Sequence, residues 1–317
     1  MLEDGIGQKI LERVEVSLKK NYPFPIYQEG GVEIMGGDQE GVLAWITLNY
    51  LLGKIGGKTR VSTAGIMDLG GGTYTFSSLQ TTLTLGSTQI VFEDPAIPKG
   101  EHRIDLEFSG HKYILYQHSY DGYGLMQGRK SINKASIKTN HAPCIPDKSS
   151  IDFHDDSTGS KYELKGSAKT FSSCALLIAQ HLFNKQDTCT MEPCSFDGVY
   201  MPEIKKDAEF YAFSYFFDKF ANPFDLHDFF YVGQIKTAAN DICSPTPPPN
   251  LSFEGQKELE RNKEWCTDLG FIYSLLSVGY DFPDDRKILS TKKVDGIEIG
   301  WALGCAIRML EKFDKCF

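Results

Sequence analysis

Ala64-Gly65-Ile66-Met67-Asp68-Leu69-Gly70-Gly71-Gly72 is a short apolar run that ends in a carboxylate and three glycines. An apolar run of this length bounded by glycine predicts a buried strand over 64–69. Glycines after such a strand let backbone N–H groups approach phosphate oxygens closely and tolerate positive φ. An Asp at the strand end can hold waters on a divalent cation that neutralises phosphate charge. A tight β-turn without a ligand would leave the same pattern, so the surrounding sequence has to decide.

Just upstream, Gly36-Gly37-Asp38-Gln39-Glu40-Gly41 leads into Val42-Leu43-Ala44-Trp45-Ile46-Thr47-Leu48-Asn49-Tyr50-Leu51-Leu52-Gly53. This is a helix with Asp38 expected as N-cap, Val42, Trp45, Ile46 and Asn49 on one face, and Gly53 as its stop. Glu40 falls in the first turn, where the positive end of the helix dipole keeps a carboxylate ionised. An ionised carboxylate suits a general base that takes a proton from attacking water. In isolation it would equally be an ordinary acid at a helix N-terminus.

Further out, apolar positions from Gln8 to Lys20 predict an amphipathic helix that Asn21-Tyr22-Pro23 stops. Ile90-Val91-Phe92 is a second strand, and 103–108 with 112–117 form a hairpin around Ser109-Gly110-His111. Helices are expected at 121–135, 171–184, 224–241, 257–278 and 297–313. Strands mixed among helices without strict alternation predict an α/β fold with a mixed sheet. Ser244 to Asn250 is a proline-rich exposed loop.

The chain has 317 residues, enough for one large domain or two lobes. It is 41% hydrophobic and 24% charged, values of an ordinary globular protein. A net charge of -9 argues against nucleic acid or an anionic membrane surface as partner, but not against a small nucleotide held locally. No run reaches the ~20 apolar residues of a membrane span. Met1-Leu2-Glu3-Asp4-Gly5 is polar and acidic, unlike a signal peptide. The eight cysteines include no C-x-x-C pair and no zinc-finger histidine spacing. Cys189-Thr-Met-Glu-Pro-Cys194 would close a tight disulfide loop, which points to an oxidising lumen; scattered buried thiols are the alternative. Asn250-Leu251-Ser252 adds a glycosylation sequon.

Taken together, Gly37 to Gly53, then Asp68 to Gly72 continued by Ser87-Thr88-Gln89-Ile90-Val91-Phe92-Glu93, then Ile299-Gly300-Trp301-Ala302-Leu303-Gly304, resemble the third, fourth and fifth conserved regions of the apyrase and nucleoside diphosphatase family. Tyr123-Gly124-Leu125, Pro193 to Val199, Phe213-Ser214-Tyr215-Phe216 and Gly279-Tyr280-Asp281 fall between them in the family's order. Tyr22-Pro23-Phe24-Pro25 and Ile34 to Asp38 are similar to the fungal Golgi guanosine diphosphatases. The likeness runs from about residue 8 to about 312.

The resemblance implies a two-lobed actin-like ATPase (ribonuclease H-like) fold. Residues 1–317 would be one nucleoside diphosphatase domain, holding the C-terminal lobe and part of the N-terminal lobe. It makes Glu40 the catalytic base, with Ser87 and Gln89 positioning the water. Gly70, Gly71, Gly72, Ser87 and Thr88 would contact phosphate, and Asp68 would hold Ca2+, Mg2+ or Mn2+ through water. Phe271 and Phe216 or Phe217 would stack on the base, with core packing as the alternative; Trp301 would border the ribose or pack. The implied disulfides are Cys144–Cys174, Cys189–Cys194 and Cys243–Cys266, with Cys305 and Cys316 left over.

The implied reaction is GDP plus water to GMP and phosphate in the Golgi lumen, supporting protein glycosylation after mannose transfer. A broader UDP/GDP diphosphatase, or an inert nucleotide-binding remnant, are the rivals. The family pattern begins with a membrane anchor and two further conserved regions, whose absence here is expected to expose buried faces. Residues 73–86, with five threonines and no charge, interrupt the fourth region and have the character of an in-frame intron. That detour is expected to keep Ser87 and Gln89 away from Glu40.

Overall fold

The computed structural model describes residues 6–26, 31–71, 74–75, 82–83, 86–168, 170–183, 185, 188–244 and 250–312. Helix α1 (Ile6–Asn21) precedes α2 (Gly37–Leu51) and strand β1 (Gly65–Leu69), all five of whose residues are buried. Gly53, at φ 65°, ends α2 as its sequence position predicts. Asp38 does not cap the helix: the N-cap is Gly36, and the Asp38 carboxylate instead accepts the Ser119 N–H at 2.9 Å.

Strands β2 (Tyr74–Thr75) and β3 (Thr82–Leu83) pair with each other antiparallel, and β4 (Ser87–Glu93) then returns beside β1. Strands β5 (Arg103–Phe108) and β6 (His111–Asp121) form the expected hairpin. Its turn residues Ser109 and Gly110 both have positive φ, as a two-residue hairpin turn requires. Helix α3 (Leu125–Thr139) starts later than the sequence suggests, because β6 runs on to Asp121. A small sheet follows, made of β7 (Ala142–Pro146), β8 (Ser150–Asp155) and β9 (Ser160–Ala168), and then helix α4 (Phe171–His181).

Strand β10 (Phe210–Ser214) re-enters the main sheet. The expected helix over 224–241 begins only at Val232, since β11 (Phe229–Tyr231) occupies its first part and α5 (Val232–Cys243) the rest. The expected helix over 257–278 is broken into α6 (Phe253–Arg261) and α7 (Trp265–Ser274). Asn262 makes the break, its amide reaching Glu258 at 2.7 Å and Asp268 at 2.8 Å while its carbonyl oxygen accepts the Glu264 N–H. Strand β12 (Lys287–Leu289), the hairpin β13 (Lys293–Val294) and β14 (Ile297–Glu298), and helix α8 (Trp301–Lys312) complete the chain.

The main sheet has the order β11-β12-β10-β1-β4-β6-β5, with β1 at its centre, parallel to β10 and antiparallel to β4. A mixed sheet covered by helices on both faces is consistent with an actin-like fold. Alternation along β1 sends Met67 and Leu69 into a large core with α3, α4, α5 and α7. Ile66 goes to the other face, into a smaller core with Trp45 of α2 and Ile307 of α8.

Cys144–Cys174 ties β7 to α4, Cys243–Cys266 ties α5 to α7, and Cys189–Cys194 closes its loop. Cys305 is a free thiol, and Cys316 lies outside the described residues. On α1, Ile10, Val14, Val16 and Leu18 stay exposed, whereas the apolar side of α2 is covered by α8. Among the described residues, no helix is long and apolar enough to cross a membrane.

Candidate active site

Glu40 stands half-buried in the first turn of α2, aimed at β4. The helix end can sit so close to the sheet because it carries glycine: a Cβ on Gly41 would lie 3.0 Å from Val91 and 3.2 Å from Gln89. Gln89 is paired across the ladder with Asp68. Its side-chain amide donates to Ser87 Oγ at 2.8 Å and reaches Glu40 Oε2 at 3.5 Å. Ser87 and Gln89 share a face because they are two residues apart on one strand. Glu40, Gln89 and Ser87 therefore form one polar array, with Asp68 beside it.

Burial raises the pKa of the Glu40 carboxyl from its ordinary value, against the ionising pull expected of the helix dipole. Burial also pushes Asp68 up to about 6, the Ser214 hydroxyl pulls it down, and the charge of Glu40 adds to the rise. Oδ1 of Asp68 is buried with no hydrogen-bond partner among the described residues. Ser214, at the end of β10, has φ 56°, an uncommon conformation for a non-glycine residue. The Phe213–Phe216 motif contained it without assigning it a role; it reaches the site because β10 runs parallel to β1 in register Leu69 to Ser214.

The phosphate-loop glycines lie next to this array. Gly70 N–H donates to Ser87 O at 3.0 Å. A Cβ on Gly71 would come within 2.2 Å of the Tyr215 ring, so any side chain there would displace that ring. Gly72 lies outside the described residues. The return of Ser87 beside Gly70 overturns the expectation that residues 73–86 separate the site residues. Within that stretch β2 pairs with β3, and the ladder between β1 and β4 runs to Leu69 opposite Thr88.

A cavity of about 270 Å³ opens from Gly70 and Gly71, walled by Ser214, Tyr215 and Phe217, with Asp218, Lys292 and Glu298 at its edges. Phe216 and Phe271 are not in it. Both are fully buried in the large core, with Phe271 packed against Gly128 and Phe183, so neither offers a ring face to a ligand. Phe217 is the member of that pair which faces the cavity. Thr88 is fully buried, and its hydroxyl points away from Glu40 to donate to Asp68 O at 2.9 Å. Trp301 begins α8 with 42% exposure, close in sequence to the cavity-lining Ile299 but not itself lining it. Asn250 is exposed, while the hydroxyl of Ser252 caps α6.

The probable guanosine-diphosphatase of Aspergillus fumigatus is 37% identical over 98% of this chain and 67% of its own length. The guanosine-diphosphatase of Saccharomyces cerevisiae is 36% identical over 98% of this chain and 64% of its own. Mouse ectonucleoside triphosphate diphosphohydrolase 5 is 30% identical over 98% of this chain and 67% of its own. Across four fungal relatives the chain spans 57% to 67% of their length. Residues 1–315 match the GDA1/CD39 (nucleoside phosphatase) profile, and the chain belongs to that family.

Proposed function

We propose that this chain carries a nucleoside diphosphate hydrolase site that converts GDP and water to GMP and phosphate. The observation that carries the reading is the Glu40–Gln89–Ser87 array beside Asp68 and the glycine loop. Ser87 and Gln89 hold a water at the β-phosphorus, and Glu40 takes its proton as the oxygen attacks. The bond from that phosphorus to the bridging oxygen breaks, and GMP leaves with the electron pair. The Gly71 N–H would donate to the phosphate oxygens as charge builds there, since the Gly70 N–H is already engaged by Ser87 O.

Asp68 fits a divalent cation held through water. A buried carboxylate oxygen without a partner is costly unless positive charge or an ordered water meets it. Ser214 orients that carboxylate, and Glu40 lies close enough to feel its charge. Ca2+, Mg2+ or Mn2+ would neutralise phosphate charge there.

The nucleoside end of the substrate fits the cavity beyond Gly71, with Tyr215 and Phe217 as its aromatic wall and carboxylates at its edge. Asp218 and Glu298 are acceptors suited to the donor edge of guanine. Three disulfides support an oxidising compartment, in line with the Golgi lumen and a role in glycosylation, and exposed Asn250 is a candidate glycan site.

The test is phosphate release from GDP with a divalent cation present. Glu40→Gln should lower kcat by about 10²–10⁴-fold, the size of a lost general base, with the circular dichroism spectrum unchanged. Turnover by the folded variant at the wild-type rate would remove Glu40 from the chemistry.

A further inference from the structure

Thr88 sits between the two residues placed at the water, yet its side chain points to the opposite face of β4. Its hydroxyl has one proton, and that proton goes to Asp68 O at 2.9 Å. The contact at 3.3 Å between Thr88 Oγ1 and Tyr280 Oη must therefore be donated by tyrosine. The result is a directed relay, Tyr280 to Thr88 to the backbone of Asp68. It cross-links β1 and β4 at the open end of their ladder, where the backbone pairing ends with Gly70 N–H to Ser87 O.

Tyr280 is itself held rigidly. It is 2% exposed, and its ring lies among Tyr120, Phe196 and Phe282 at centroid distances of 6.0, 5.9 and 6.3 Å. The carbonyl before it, Gly279 O, accepts from Ser195 Oγ at 3.1 Å and from Lys185 Nζ at 3.0 Å. Burial first, then the neighbouring Tyr120, hold the phenol well above its ordinary range, so it stays a donor at every pH the protein meets. A fixed donor on one face of the sheet thus sets the strand ends whose other face carries Asp68, Ser87 and Gln89.

We propose that Tyr280 and Thr88 are a positioning couple for hydrolysis, fixing the water-holding residues and the Asp68 carboxylate from behind the sheet. This rests on the hydrolase reading above. Neither side chain touches substrate; both act by holding β1 and β4 in register, where a displacement of a fraction of an ångström is felt at the reacting atoms. Thr88 is thereby a residue behind the phosphate site and not a contact within it.

The experiment compares Tyr280→Phe, Thr88→Val and Thr88→Ser in the full chain, with kcat and KM for GDP measured per folded molecule and thermal midpoints alongside. Tyr280→Phe and Thr88→Val are each expected to lower kcat about tenfold, the size of one lost neutral hydrogen bond acting on the transition state, with KM within about twofold. Thr88→Ser keeps the hydroxyl and should restore kcat. The double variant should be no worse than either single one, since both break the same relay. Wild-type kcat in folded Tyr280→Phe, or a loss in Thr88→Val that Thr88→Ser does not restore, overturns the proposal. Should Tyr280→Phe fail to fold, the Val against Ser pair at 88 decides alone. If the wild-type chain releases no phosphate, or Glu40→Gln works as well as wild type, the hydrolase reading falls and the couple with it. If those two behave as expected and only the relay variants are silent, the couple alone is wrong.

Discussion

The two faces of the central sheet hold titratable groups, Asp68 buried and His118 partly buried, that desolvation displaces in opposite directions. Toward α2, burial pushes the Asp68 carboxyl up to about 6. Toward the large core, burial first and His102 second push His118 down to about 4, against the opposing pull of Glu101 and Asp121. Both groups lose hydration, yet their settings differ. His118 is packed edge-on to Tyr120 at 4.4 Å, where a neutral ring is at ease. Asp68 has a buried oxygen with no partner among the described residues, next to a second carboxylate. One face tolerates a neutral base as packing material; the other keeps an acid in a setting that only a cation or ordered water would relieve. That asymmetry supports the proposed chemistry on the α2 face, the side with the smaller core.

The hardest way to break the comparison is to remove the platform under the α2 face. Helices α2 and α8 touch through Gly304, whose N–H donates to Thr47 Oγ1 at 2.7 Å. A Cβ there would lie 2.0 Å from Leu43 O, a backbone atom that cannot step aside. Gly304→Ala is expected to cost about 3 kcal/mol, at the upper end of overpacking penalties, by urea unfolding. A loss under about 1 kcal/mol would mean that the helices separate easily and that Glu40 is held by something else.

Asp68→Asn comes next, and it divides function from stability. A carboxyl near 3.9 in the unfolded chain and about 6 in the fold contributes stability that is complete below pH ~4 and lost as pH rises through 6. At pH 7.5 without a divalent cation, the amide should therefore stabilise the protein by roughly 2–3 kcal/mol while hydrolysis is lost. Excess cation should narrow that gap by stabilising the wild type alone. A variant less stable than wild type under cation-free conditions would show that the Ser214 hydrogen bond outweighs burial.

His118 has the opposite sign. Its pKa falls from ~6.5 unfolded to about 4 folded, so its contribution is complete above pH 6.5 and lost as pH drops toward 4. The side chain is partly solvent-accessible, so the loss should be about 2 kcal/mol and not the full displacement. His118→Asn should flatten the stability curve over that window, measured as urea midpoints from pH 7 to 4. An unchanged slope would assign the acid sensitivity to other groups.

Much of the α2 face was legible in the sequence, because each of its parts obeys a local rule. Strand, carboxylate and glycines follow one another along β1, and Gly53 ends α2 where an αL residue is needed. Thr88 was expected to contact phosphate, yet alternation that puts Ser87 and Gln89 on one face sends its side chain to the other. The β7–β9 sheet was missed although Ile151 and Phe153 alternate with Asp152 and His154 along β8. Its short strands sit between helices, and their pairing is not local. Phe216 and Phe217 could not be told apart, since the chain changes from strand to helical turn between Ser214 and Phe217, and that change decides which ring is buried. Ser214 was out of reach for the same reason, as its role depends on the parallel register of β10 against β1.

The smallest effect concerns which nucleoside the cavity prefers. Lys292 Nζ and Glu298 Oε1 face each other at 3.8 Å across the β13–β14 hairpin, at the cavity edge. Guanine presents O6 as an acceptor beside donors that include N2–H2. An ammonium beside a carboxylate is complementary to that order. Uracil puts a carbonyl oxygen where guanine has its amino group, and a carboxylate there meets a lone pair. The proposed site should therefore hydrolyse GDP with a higher kcat/KM than UDP. Both side chains are more than half exposed, so solvent weakens the discrimination. Glu298→Gln should narrow the GDP-to-UDP ratio by about fivefold, or ~1 kcal/mol, mainly through KM, because the contact is made equally in ground and transition states. A ratio that does not move, with Asp218→Asn moving it instead, would transfer guanine reading to Asp218 and leave the proposed hydrolytic face as described.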